Sequence, residues 1–172
     1  ILSPISGATY TFSPVLSYMA SDGTVVAKVD GAVIAITTGD ILDSLADGGH
    51  TIRVETTDAV GNLGFAEVAF TVDTTAPIIT INVPTAGTTG DKTPLLTYTI
   101  TDVSPMSSVT VKVDGDIVAK VWGDRLDALA NGPHTIRVEA TDAAGYTGSA
   151  EVAFFVDTIA PVAQSLSIGN YH

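Results

Sequence analysis

The chain repeats itself, and no other feature constrains its fold as strongly. His50-Thr51-Ile52-Arg53-Val54-Glu55 returns 84 residues later as His134-Thr135-Ile136-Arg137-Val138-Glu139. At the same offset Asp30-Gly31 matches Asp114-Gly115, Leu42 and Leu45 match Leu126 and Leu129, and Asp58 matches Asp142. Ala66-Glu67-Val68-Ala69-Phe70 matches Ala150-Glu151-Val152-Ala153-Phe154, and Asp73-Thr74 matches Asp157-Thr158. Near the start the offset is 80, with Pro4, Gly7, Pro14 and Tyr18 matching Pro84, Gly87, Pro94 and Tyr98. The difference places a short insertion in the second copy around Val103-Ser104-Pro105-Met106, in a loop, where added length costs little. Such a duplication builds one unit twice.

Inside each copy the apolar period is two. Leu96, Tyr98 and Ile100 alternate with Thr97, Thr99 and Thr101, and Val109, Val111 and Val113 alternate with Thr110, Lys112 and Asp114. Each run reads as a strand with one buried face. Asp114-Gly115 then offers a hairpin turn. Ile136, Val138 and Ala140, and later Val152, Phe154 and Val156, continue the pattern. Leu126 and Leu129 sit three apart and suit a single helical turn. About seven short strands in each copy predict an all-β chain of two tandem immunoglobulin-like antiparallel β-sandwiches. The expected domains are residues 1–74, whose first strand is incomplete, and 75–158, followed by a tail over 159–172. A parallel α/β sheet needs crossover helices, for which there is no room.

The run from Gly49-His50-Thr51-Ile52 through Thr57-Asp58-Ala59-Val60-Gly61-Asn62 to Val72-Asp73-Thr74-Thr75-Ala76-Pro77 resembles the bacterial immunoglobulin-like repeats of large surface proteins and adhesins. The second copy resembles them equally, except that Tyr146 stands where Asn is usual. The resemblance implies an extracellular, cell-surface module, and such modules serve as stalks, spacers, ligand heads and accessory domains of secreted enzymes.

Charge narrows the partners. Seven Lys and Arg stand against nineteen Asp and Glu, a net charge of −12. A phosphate backbone needs a basic surface, so nucleic acid is excluded as a partner, and an anionic membrane is disfavoured for the same reason. With no cysteine there is no disulfide, thiolate metal site or cysteine nucleophile. No apolar run approaches the length of a membrane helix, so no membrane insertion is expected.

Enzyme readings find little support. His50 and His134 hold equivalent positions, so duplication accounts for both, and a ring hydrogen bond that closes the preceding turn is the expected role. His172 stands at the chain end. The aspartates are more informative once topology is applied. Asp102 and Asp142 fall in loops at the end where the chain enters the second domain, and Asp73 lies on the connector. Three carboxylates from distant segments repel unless a cation neutralises them, and hard oxygen ligands suit Ca2+. Asp22, Asp58 and Asp157 are the equivalent set, expected to meet across a contact between chains. The arrangement is similar in logic to the calcium-stiffened junctions of cadherins. The other reading is local: Asp58 and Asp142 open Asp-Ala-x-Gly turns whose backbone amides a carboxylate can hold.

Two further features bear on function. Trp122 offers a platform for a sugar ring, or packs at the periphery. Aligning the copies puts Ile1 opposite Ile81, so the tail from Asp157 through Pro161, Val162, Leu166 and Ile168 matches the segment the first domain lacks. That tail is expected to act as a donor strand in a neighbouring copy of the chain, building a head-to-tail fibre. The alternative is a long repeat array cut at a convenient boundary. The expected function is thus a non-enzymatic extracellular structural module, the repeat unit of a stalk or fibre. The alternative is an accessory carbohydrate-binding module of a secreted enzyme or adhesin.

Overall fold

A computed structural model describes residues 1–43 and 45–163. Among these residues there is no helix, and the strands are β1 (Thr9–Tyr10), β2 (Thr24–Val29), β3 (Ala32–Ile34), β4 (Gly48–Thr57), β5 (Leu63–Val72), β6 (Ile78–Val83), β7 (Gly87–Thr89), β8 (Thr97–Thr101), β9 (Met106–Val113), β10 (Asp116–Val118), β11 (Gly132–Asp142) and β12 (Thr147–Val156). Val, Thr and Ile recur along them because branched side chains fit a pleated, half-buried surface.

The strands form sheets of order β1-β5-β4-β2-β3 and β10-β9-β11-β12-β7, and a pair β6-β8. The duplication is visible in the register. β1 runs parallel to β5, as β7 does to β12, while β2·β3 and β9·β10 are antiparallel hairpins. Both hairpins turn on Asp-Gly with positive φ at each residue, 49° and 83° at Asp30-Gly31 and 53° and 92° at Asp114-Gly115. That is the primed turn whose twist matches the strands, as the sequence predicts.

In the first copy the opposing layer is made by bridges from Ser3 to Ser17 and from Val15 to Ile41. Leu16 and Leu42 from this layer meet Ala27, Ile52, Val54, Phe70 and Val72 from the sheet in one buried cluster. In the second copy the equivalent positions Leu96, Leu126, Val111, Ile136, Val138, Phe154 and Val156 are likewise buried. The fold is all-β and of the immunoglobulin-like sandwich class.

One expectation fails. Leu126 and Leu129 form no helical turn. Their N–H groups donate to the carbonyls of Pro94 and Lys92, so three residues oppose two along an irregular extended segment. The carbonyls of the facing segment between β7 and β8 satisfy these amides, so no helical turn is needed.

By compactness the chain divides into two units. One comprises Ile1–Thr80, Ile100–Thr110 and Val138–Ala150, and the other Ile81–Thr99, Val111–Arg137 and the residues from Glu151 onward. Asp73, Asp102 and Asp142 all belong to the first. No helix among the described residues is long and apolar enough to cross a membrane.

Candidate metal centre

Each carboxylate of the triad is placed by the end of a strand. Asp73 follows β5, and its N–H donates to the Tyr10 carbonyl of β1 at 2.9 Å. Asp102 follows β8. Asp142 closes β11, and its N–H donates to the Tyr146 carbonyl at 3.0 Å. The triad draws one oxygen from each residue, and these atoms lie within 4.8 Å of one another.

The three side chains use their oxygens alike. Oδ1 of Asp73 accepts from Thr75 N–H at 3.1 Å, Oδ1 of Asp102 from Val103 N–H at 2.8 Å, and Oδ1 of Asp142 from Tyr146 N–H at 3.0 Å. Oδ2 of all three is buried with no hydrogen-bond partner among the described residues. Asp73 is 0% exposed and Asp142 1%. A buried carboxylate oxygen without a donor is expensive, because its hydration is lost and nothing replaces it. At 4.8 Å two unit charges repel by about 3.5 kcal/mol even at an effective dielectric of 20. Burial, followed by the charges of Asp73 and Asp142, pushes the Asp102 carboxyl above its usual range despite the Val103 amide.

These donors fit a hard divalent cation. All are carboxylate oxygens, and among the described residues three of them accept no hydrogen bond from a cationic or any other side chain. Ser104, 4% exposed and two residues beyond Asp102, also leaves its Oγ without a hydrogen-bond partner among the described residues. Sequence reasoning located the insertion that carries Ser104 but attached no role to this hydroxyl.

The structure brings together Asp73, Asp102 and Asp142; Asp22, Asp58 and Asp157 are the set expected to meet across a contact between chains. Asp58 is satisfied locally: Oδ1 accepts from the N–H groups of Val60 and Asn62, and Oδ2 from Asn62 Nδ2 at 2.8 Å. Those bonds hold its pKa below the ordinary carboxylate value. Asp22 accepts from Ser21 Oγ, and Asp157 Oδ1 from Ile159 N–H.

Both internal histidines take the structural role expected of them. Nδ1 of His50 meets Asp30 Oδ2 at 2.7 Å and Nε2 meets the Ala46 carbonyl at 2.8 Å. His134 does the same with Asp114 at 2.7 Å and Ala130 at 2.9 Å. Trp122 is 62% exposed, on a turn. Of the donor-strand residues, Asp157, Pro161 and Val162 lie outside any strand, and Leu166 and Ile168 lie outside the described residues.

No protein-family profile and no curated protein sequence matches the chain. Solved structures do. The fibronectin(III)-like modules of Clostridium thermocellum CbhA are 17% identical with a TM-score of 0.41, over 96% of this chain and 97% of theirs. A tetra-tandem repeat from the extending region of a large adhesion protein is 27% identical with a TM-score of 0.48, over 85% of this chain and 45% of its own. Bacteroides ovatus SGBP-B, from a mixed-linkage glucan utilization locus and in complex with a mixed-linkage heptasaccharide, is 15% identical with a TM-score of 0.36, over 87% and 42%. The chain therefore spans less than half the length of the last two.

Proposed function

We propose that the chain is a non-enzymatic extracellular structural module, a repeat segment of a surface stalk, whose connector is held in place by Ca2+ bound at Asp73, Asp102 and Asp142. The observation that carries this reading is the trio of buried, unpartnered Oδ2 atoms from three distant segments. A cation there removes the repulsion and ties Asp73, on the connector, to the loops after β8 and β11. Local turn chemistry accounts for the Oδ1 atoms and leaves Oδ2 unexplained. The structural placement of both histidines supports a module without a catalytic centre.

Extracellular modules of this kind bind calcium at about 10⁻⁴ to 10⁻³ M. Isothermal calorimetry of the full chain is expected to give saturable heat in that range, with a rise in melting temperature that EDTA reverses. A ligand at a hundred times its Kd stabilises by about 2.7 kcal/mol. Asp102→Asn and Asp142→Asn are each expected to remove the heat and the shift. Folded protein with neither response at millimolar calcium overturns the reading.

Assembly of copies head to tail through the tail belongs to the same proposal. Its support is the exposure of Ile159 at 73% and Val162 at 88%, apolar side chains that a neighbouring sheet would cover.

A further inference from the structure

The two copies differ sharply at one groove. In the first, a cavity of about 380 Å3 opens beside β3, lined by Val29, Ala32, Ile34, Ile36 and Leu45 together with the exposed Asp43. At the equivalent place in the second, the cavity is about 270 Å3 and charged. There Asp116 stands for Ala32 and Lys120 for Ile36, and Lys120 Nζ donates to Asp127 Oδ1 at 2.7 Å. The Lys120 side chain is only 21% exposed, so its aliphatic stem covers apolar surface while its ammonium reaches the acid. Asp43 is the counterpart of Asp127, yet its carboxylate has no cation and no hydrogen-bond donor among the described residues.

The backbone beside the groove is open too. Among the described residues β3 ends its sheet and pairs with β2 alone. From Gly31 to Gly39 the edge carries no charged residue, whereas β10 begins with Asp116. Charges on an edge strand discourage further pairing, and their absence leaves a template for an added strand.

We propose that this groove binds an extended peptide strand of a partner, apolar on one face and bearing a lysine or arginine that pairs with Asp43. Main-chain hydrogen bonds to β3 hold the strand, an apolar side chain fills the space above Ile36, and the basic residue makes the ion pair that Lys120 makes internally. Charge selects this occupant over a second copy of the chain, which has a net charge of −12 and brings no cation on its own Gly31–Gly39 edge.

The test uses the isotope-labelled full chain and a capped nonapeptide of alternating valine and threonine with one central lysine, beside its glutamate analogue. Saturable amide shifts are expected at Ala32 to Ile34 and Leu45, with none at Asp116 to Val118. The glutamate analogue should bind about two- to fivefold more weakly, the scale of one exposed ion pair. Ile36→Lys should build the internal pair with Asp43, fold as the second copy does, and lose the peptide. Asp43→Asn should keep the fold and erase the preference for lysine. Equal binding of both peptides, shifts elsewhere, or unchanged affinity in Ile36→Lys overturns the proposal. So does sedimentation showing that the free chain dimerises through β3 and that Ile36→Lys dissolves the dimer, since the occupant is then a second copy.

Discussion

One side chain separates two copies of the same turn. Asn62 donates its amide to Asp58 Oδ2, and Tyr146, at the equivalent place, leaves Asp142 Oδ2 free to face a cation. Tyr146→Asn is therefore expected to satisfy that oxygen internally and compete with calcium. A hydrogen bond worth about 0.5–1.5 kcal/mol predicts about a two- to tenfold loss of affinity, read by calorimetry at unchanged fold. The histidines set a pH dependence. Burial pulls the His50 ring down, but the Ala46 carbonyl and Asp30 outweigh it, and its pKa lies above the ordinary 6.5. Asp114 and the Ala130 carbonyl raise His134 in the same direction. Asp30 and Asp114 are lowered: burial opposes the change, and the bonds from His50 and Thr51, or from His134 and Thr135, prevail. A raised histidine contributes stability that is full below the unfolded pKa and lost as pH rises through the folded one. The contribution of a lowered aspartate is lost as pH falls through its own folded value. The pairs thus stabilise most between these limits. In urea unfolding, the deficit of a His50→Gln, His134→Gln chain relative to the parent should be larger at pH 6 than at pH 8.

At the scale of elements, the connector is pinned from several sides. Thr74 donates N–H and Oγ1 to Asp47 Oδ1 at 3.0 and 2.9 Å, and Thr158 donates the same pair to Asn131 in the second copy. Gly148, on β12, lies so close to the Pro77 carbonyl that any Cβ there would collide with it. Rigid backbone on both sides leaves little room to adjust. Gly148→Ala should force the connector outward, costing about 1–3 kcal/mol as overpacking does. Because Asp73 rides on that connector, calcium affinity should fall as well, although residue 148 is not one of the three carboxylates. Unchanged affinity together with a lowered melting temperature would place Asp73 independently of Pro77.

At the scale of the molecule, the expected assembly turns on the tail. Asp157 is tied back, its N–H donating to the Thr89 carbonyl at 2.9 Å, and the residues from Asp157 to Ala163 lie outside any strand. Deleting residues 157–172 should leave the second domain folded, destabilise the first and abolish head-to-tail association, seen as a single slow species in sedimentation. Assembly that survives the deletion removes the donor strand from consideration.

The strands, their alternation and both Asp-Gly turns were legible because they are local. A period of two and a turn that needs positive φ leave their mark on consecutive residues. Duplication doubled that signal, and it also assigned His50 and His134 a shared structural role. The convergence of Asp73, Asp102 and Asp142 was readable only by laying the aspartates on an assumed topology. Tertiary structure alone decided that each keeps one oxygen for its own loop and leaves the other buried and unpaired. It also decided that Ser104 is buried, and that Leu126 and Leu129 run extended rather than helical because facing carbonyls claim their amides. The contrast between Ile36 and Lys120 is plain in the aligned copies, yet it carries no meaning until the fold sets each beside its aspartate. Partnering across the chain depends on which groups remain unsatisfied, and that is a property of the packed molecule.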